Sequence, residues 1–289
     1  MGNSNPRTRI LLTGGSGLVG RGIAAALRQR AEITHFDLAD PGDGLPWVGG
    51  SLCDPAAVEA ACQDQDVVLH VAALHGQAWA AAGDHAGFEA NVMGTHNILE
   101  GARKGGAWRV VFTSSIWATG HAPAPAPYLP IDEALPREPV ELYGLTKKLG
   151  EEMCRFASER YGLNTLCLRP AGILRADAPT SSRIGLLFGA VDVRDVVAAH
   201  VLALNAPDDI LHDTFIIAAD SPLCRYEPTR VQGDLPGVLE ELFPGISRLI
   251  GAGTLRVPAL PEWYTIAKAK RVLGYAPRHP FALPEEAQS

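Results

Sequence analysis

No apolar run in this chain reaches the ~18 residues that a membrane-spanning helix needs. Long basic runs are missing too, and the net charge is −7, which argues against a nucleic-acid or anionic-membrane surface. The five cysteines (Cys53, Cys62, Cys154, Cys167, Cys224) are scattered, with no Cys-x-x-Cys. They read as reduced thiols acting as small hydrophobes. Nine histidines show no metal-ligand spacing, so no metal is expected. The start, Met1 to Arg7, has no apolar signal-peptide core, and Pro6 stands where a myristoylation site requires Ser or Thr. It reads as a frayed tail on a cytoplasmic protein. Internal repeats and low-complexity tracts are absent as well. What remains is an ordinary globular composition, 47% apolar and 20% charged, long enough at 289 residues for one large core or two unequal ones.

Short apolar runs alternate with helical patterns through the first two-thirds. Arg9 to Thr13, Ile33 to Asp37, Trp47 to Leu52, Val67 to Ala72, Val110 to Thr113 and Thr165 to Leu168 read as strands. Helices are expected over Leu18 to Leu27, after Asp54-Pro55, around Phe88 to Lys104 and over Tyr143 to Tyr161. The strands are continuously apolar rather than alternating, which implies an α/β fold with a doubly wound parallel sheet covered on both faces. Pro123 to Pro130 is too rich in proline for helix or central strand. The last third, with short helices at Pro228 to Phe243 and Ile266 to Leu273, reads as a smaller lobe.

Three segments carry chemistry. Gly14, Gly17 and Gly20 lie between the first strand and the first helix, the context of a dinucleotide-binding turn. There the backbone N–H groups of Gly14, Gly17, Leu18, Val19 and Gly20 can approach a pyrophosphate at the helix N-terminus. Asp37 closes the second strand, where a carboxylate accepts the ribose hydroxyls of adenosine and repels a 2′-phosphate, which favours NAD. Tyr143 and Lys147 stand four apart, so a helix puts an ammonium beside a phenol. A free phenol ionises near ~10, and a fixed positive charge lowers that value. With a hydroxyl from Thr113-Ser114-Ser115 to orient the substrate oxygen, this set suits hydride transfer at a secondary alcohol.

In order along the chain, several segments together resemble the extended short-chain dehydrogenase/reductases, the NAD-dependent epimerase/dehydratase family. They are Thr13 to Gly20, Asp66 to Ala73, Asn91 to Glu100, Thr113 to Ser115, Tyr143-x-x-x-Lys147, Leu168-Arg169-Pro170, Val191 to Asp195 and Ala267 to Pro277. The resemblance implies a Rossmann-type dinucleotide-binding domain at 1–169, to which 192–220 returns. It implies a substrate-binding lobe at 170–191 and 221–289. Tyr143 would be the acid/base, Lys147 would bind the nicotinamide ribose and keep the phenol acidic, and Ser115 (or Ser114) would hold the substrate oxygen. Asn91 would brace the cofactor or a water, Leu52 and Ala72 would touch adenine and ribose, and Pro170 would lie near the nicotinamide. The helices at Phe88 to Lys104 and Tyr143 to Tyr161 resemble those of the family's dimer interface, so a homodimer is expected.

The chain also departs from the family. Ser51 replaces an aspartate near adenine, Gly172 an asparagine that holds nucleotide sugars, and Thr119 a tyrosine. Only about twenty residues separate Pro170 from Val191, shorter than nucleotide-sugar enzymes use. That shortening resembles uronate dehydrogenases, in which an arginine near Arg183 grips the substrate carboxylate. Ile116 stands where those enzymes place an asparagine, so the substrate is expected to be partly apolar or differently oriented. His75, Trp117, His121, Arg175 and Arg183 are candidates to line its pocket, while His70, His96 and His200 read as packing residues. Three functions follow. The first is an NAD-dependent epimerase, dehydratase or ketoreductase of a sugar-type substrate. The second is a net dehydrogenase of a small carboxylated sugar, and the third a non-catalytic dinucleotide sensor.

Overall fold

The computed structural model describes residues 7–120, 125–259 and 261–283. His121, the tail Met1 to Pro6 and part of the proline-rich stretch lie outside the described residues. The chain forms two compact units. One comprises 1–120, 136–169 and 197–215, the other 121–135, 170–196 and 216–289.

Seven strands form one sheet: β1 (Arg9–Thr13), β2 (Glu32–Asp37), β3 (Trp47–Gly49), β4 (Val67–His70), β5 (Arg109–Thr113), β6 (Asn164–Pro170) and β9 (His212–Ile217). Their order is β3-β2-β1-β4-β5-β6-β9, and the pairings among β1 to β6 are parallel, as the unbroken apolar strands imply. Ile10, Leu11, Leu12, Val67, Val68, Leu69, Val110 and Val111 are fully buried. Each such side chain contributes ~1.5–3 kcal/mol by leaving water. One core of the first unit joins Leu11, Val68, Val110 and Cys167 of the strands to three helices. These are α2 (Pro55–Cys62), α5 (Gly94–Gly105) and α6 (Leu142–Tyr161), which contribute Val58, Ile98 and Cys154. On α1 (Leu18–Leu27) the residues Ile23, Ala24 and Leu27 are buried. Asp54 caps α2 through the amides of Ala56 and Ala57, with Pro55 in its first turn, as the Asp-Pro signal predicts.

Strand order reverses between β1 and β4, and ligands of open α/β sheets bind beyond the strand carboxyl ends at such a point. The glycine turn after β1, the loop after β4, the serines after β5 and the start of α6 follow those ends. The helix expected over Phe88 to Lys104 is not continuous. It runs as α4 (Asp84–Phe88), a π-turn over Glu89–Met93 and then α5. Asn91 sits in that wide turn, and its side chain bonds outside the helix. Preceding it is a short helix that no periodicity announced, α3 (Gly76–Ala82).

In the second unit, β7 (Gly172–Leu174) and β8 (Ala190–Asp192) make a short parallel ladder, and α7 (Thr180–Arg183) lies between them in sequence. Further helices are α9 (Pro228–Gly233), α10 (Leu235–Leu242), α11 (Ile246–Gly251) and α12 (Ala267–Leu273). The single helix expected over Pro228 to Phe243 is two, because Asp234 accepts the Gly237 amide and starts α10 afresh. This unit's core gathers Leu187, Val231, Leu239, Ile246 and Trp263.

Candidate functional site

The helix joining the two units' sequence, α8 (Val193–Leu204), carries His200, whose Nε2 meets the Thr113 hydroxyl at 2.8 Å; it is a buried packing residue. The active features lie elsewhere in the first unit. Gly14 turns the chain at φ 75° after β1, and a side chain on Gly20 would place its Cβ 2.1 Å from the Gly14 carbonyl oxygen. Only glycines let the turn close so tightly. No side chain caps the first turn of α1, so its amides keep their donors for an anion. Asp37 is half-buried and accepts from the Ser16 amide (2.9 Å) and hydroxyl (2.8 Å), all on Oδ2. Leu52 is half-buried, and its carbonyl accepts from Asn97 at 2.8 Å.

A chain of neutral groups fixes the turn to its neighbours. Thr13 Oγ1 accepts from the amides of Val71 and Ala72, both at 3.1 Å. It meets His70 Nδ1 at 2.9 Å, and His70 Nε2 meets Thr95 Oγ1 at 3.0 Å. Thr95 donates its own proton to the Asn91 carbonyl at 2.6 Å. Nε2 must therefore carry the imidazole proton, and Thr13 donates to Nδ1. Burial, with the charge of Lys147 adding to it, pushes His70 down to about 3, so the ring is neutral as this wiring requires. Every polar group in the chain is satisfied, the condition under which such a network rigidifies a core.

Asn91 is buried, and its amide grips the backbone of Leu74 at both ends. Oδ1 accepts the Leu74 amide at 2.7 Å, and Nδ2 donates to the Leu74 carbonyl at 2.9 Å and to Thr146 Oγ1 at 3.3 Å. In this structure it braces the loop after β4 against α6. That loop ends at His75, whose ring lies 6.4 Å from that of Tyr143, and leads into α3, whose Trp79 meets Tyr143 edge-to-face at 6.1 Å. Trp79 had no signal in the sequence: its stretch of small residues has no periodic face.

Ser115 is buried and caps the short turn Ile116–Ala118 through the Trp117 amide at 3.2 Å, and its hydroxyl favours ionisation of the Tyr143 phenol. Trp117 is 48% exposed. Lys147 is buried, and its Nζ donates to the Thr113 carbonyl at 2.8 Å while lying 5.8 Å from the Tyr143 ring centroid. The spacing predicts an acidified phenol, but the structure places it at about 12. Burial pushes it up, the Ser115 hydroxyl opposes, and the Glu141 charge adds to the rise. The ammonium is too far away and too occupied with Thr113 to outweigh burial. Lys147 itself is pushed down to about 8 by burial, against the pull of Glu151.

Glu151, four residues beyond Lys147, escaped the sequence reading although it continues the same helix stripe. It takes Arg169 through two bonds of 2.7 Å and the Ser114 hydroxyl at 2.6 Å. Ser114 is thus committed to the buried ion pair, leaving Ser115 as the hydroxyl at the phenol. Pro170 and Arg183 belong to the second unit. There Pro170 is buried and the Arg183 guanidinium lies 3.6 Å from buried Asp192. Arg175 is exposed and pairs with Asp177 at 3.0 Å. Among the described residues, no cluster of three potential metal ligands occurs, and no helix is long and apolar enough to cross a membrane.

An uncapped glycine turn, a carboxylate at the end of β2 and a Ser–Tyr–Lys set near one sheet rim can together hold a dinucleotide and exchange a proton with an alcohol or carbonyl oxygen. Residues 10–174 match the model of the NAD dependent epimerase/dehydratase family. The chain belongs to that family. It is 33% identical to a uronate dehydrogenase of Pseudomonas syringae, over 57% of this chain and 59% of the relative. A 2-alkyl-3-oxoalkanoate reductase of Stenotrophomonas maltophilia is 32% identical over 93% of this chain and 95% of the relative. The match to the uronate dehydrogenases spans about three-fifths of their length. A solved short-chain dehydrogenase/reductase superfamily protein from Agrobacterium tumefaciens, with bound NAD, superposes with a TM-score of 0.71. It is 27% identical and covers 94% of this chain and 93% of that one. The family's cofactor is NAD, and the residues present fit it: the cradle that a Cβ at Gly20 would fill, the uncapped amides of α1 and the Asp37 carboxylate.

Proposed function

We propose that this epimerase/dehydratase-family protein is an NAD-dependent oxidoreductase acting at a secondary alcohol or ketone of a sugar or sugar-derived substrate. The observation that supports this most is the buried Ser115 hydroxyl that favours ionisation of the Tyr143 phenol, with Lys147 one turn on, its Nζ 5.8 Å from the phenol ring centroid. Bound NAD⁺ supplies the acceptor for the hydride that leaves the alcohol carbon. Tyr143 takes the hydroxyl proton as the C=O bond forms, or returns it when a ketone is reduced, and Ser115 orients that oxygen. A phenol near 12 is protonated at neutral pH, so reduction runs with the resting protonation state and oxidation gains as pH rises. Gly14, Gly17, Leu18, Val19, Gly20, Asp37, Leu52, Ala72, Lys147 and Pro170 are the proposed cofactor residues.

The finer reading is net oxidation of a free uronic acid, the substrate class named for the Pseudomonas relative. Purified protein with NAD⁺ and free uronic acids, neutral sugars or nucleotide sugars tests it by NADH absorbance. A rise with uronates alone supports it. Silence with uronates, but isomerised sugar from another class, replaces it with a redox-neutral epimerase.

Asp37→Asn keeps the shape of the side chain but removes the charge that ribose hydroxyls would meet. The expected result is a roughly 10- to 100-fold weaker Kd for NAD by calorimetry, the scale of lost charge-assisted bonds. An unchanged Kd removes Asp37 from the cofactor site.

We also propose a homodimer. Phe88, Met93, Leu145, Phe156 and Tyr161 are exposed on the α4–α6 segments, an apolar set suited to a second copy. Light scattering at micromolar concentration is expected to give twice the chain mass; a monomer contradicts the proposal.

A further inference from the structure

We propose that Trp79 is a specificity-determining wall beside Tyr143, which requires the substrate to present an apolar face on that side of its reacting carbon. This deepens the oxidoreductase reading and rests on Tyr143 being the group that meets the reacting oxygen.

The indole is held on three sides. Its Nε1 donates to Asp84 Oδ1 at 2.9 Å. Its benzo edge fills the space above Gly87, where a Cβ would lie 2.5 Å from Cε3. The loop leading into its helix, α3, is clamped at Leu74 by Asn91, which Thr146 ties to the tyrosine helix. The half-buried ring meets Tyr143 at 84°, with 6.1 Å between centroids. Such an edge-to-face mount has two rotatable bonds and little freedom, so its surface is preformed.

The chemistry of that surface is one-sided. An indole has a single donor, and Asp84 takes it, so the wall offers only π surface. A hydroxyl turned towards it would give up water without gaining a partner, whereas a C–H face or an alkyl body would gain contact area. The residue after Ser115 is Ile116, half-buried, which adds no donor or acceptor from its side chain. His75, on the same loop, supplies an imidazole 6.4 Å from the phenol ring. A merely structural tryptophan would affect all substrates alike when removed. A wall affects them in proportion to their apolar surface.

The test compares a hydroxycyclohexanecarboxylate with a free hexuronate, which share a carboxylate and a secondary alcohol but differ in ring hydroxyls. Turnover is followed with NAD⁺ by NADH absorbance, and binding to the NAD-loaded protein by calorimetry. The wild type is expected to favour the deoxygenated ring in kcat/KM. Trp79→Ala should shrink that preference roughly 10- to 100-fold, the range one apolar pocket contact gives, and Trp79→Phe should restore most of it. Circular dichroism and NAD binding check that the variants are folded. Turnover with a ratio that Trp79→Ala does not move overturns the wall and leaves the oxidoreductase reading standing. Trp79-dependent binding without turnover keeps the wall and sinks that reading. Failure of the wild type to bind or turn over the deoxygenated acid overturns the wall.

Discussion

Tyr143→Phe is expected to lower turnover by roughly 10²–10⁴-fold, the usual yield of positioned general acid/base catalysis, with NAD affinity little changed. The loss has a pH signature. Because burial holds the phenol at about 12, the ionised fraction in the wild type is small at neutrality and grows about tenfold per pH unit. Oxidation of the alcohol should therefore climb with pH in the wild type up to the loss of the Lys147 charge near about 8, while the residual rate of the variant shows no such climb. Ketone reduction, which uses the protonated phenol, should show no such climb. Full turnover in the variant would remove Tyr143 from the acid/base role. A stopped-flow pH series on both proteins reads all of this in one experiment.

Lys147→Met is expected to separate activity from stability. Lys147 is 3% exposed, and its ammonium has the Thr113 carbonyl at 2.8 Å. The folded protein releases the proton near about 8, the unfolded chain near 10.5. Below about 8 both states are protonated, and the folded state carries the full cost of a buried charge. Between those values the unfolded state binds more protons, so stability rises with pH. The difference corresponds to about 3 kcal/mol at 1.36 kcal/mol per unit. Methionine removes both the cost and the pH dependence, and leaves the Thr113 carbonyl to find another donor, which costs about 1–3 kcal/mol. Urea titrations at neutral and alkaline pH should thus show the wild type gaining on the variant as pH rises. Turnover should fall by about 10² or more, the scale of losing one preorganised electrostatic partner. A variant that unfolds at neutral pH, or a wild type whose stability lacks the alkaline rise relative to it, rejects this account of Lys147.

How far the sequence carried depended on the distance between cause and effect along the chain. The glycine turn closes between Gly14 and Gly20, and Tyr143 and Lys147 share one helix face, so both were legible from spacing. The parallel sheet was legible because a strand buried on two faces has no polar alternation. Asn91 could be found by residue type, but its partner, Leu74, is supplied by tertiary packing of a loop with no pattern. Trp79 depends on Asp84 and Gly87, across a turn between two short helices that periodicity does not resolve. The acidity of Tyr143 was misjudged for another reason: spacing gives the face a residue occupies, not the dielectric around it. Ile131, just past the proline-rich stretch, exchanges backbone bonds with Trp263 and Thr265 at 2.8 and 2.9 Å, a pairing no local signal contains.

Arg109 has a consequence for how the chain is made. Its guanidinium is fully buried under Trp108, with the ring centroid 4.4 Å away. It donates to the carbonyls of Ala203, Leu204, Ala206 and Pro207, 94 to 98 residues downstream, as well as to Asn164. At translation speeds of about 5–20 residues per second, those acceptors leave the ribosome roughly 5–20 s after the arginine does. Until they arrive, β5 cannot take its place in the sheet without burying an unpaired cation. The nascent first unit therefore waits, half-assembled, for a segment encoded beyond two of the second unit's three segments.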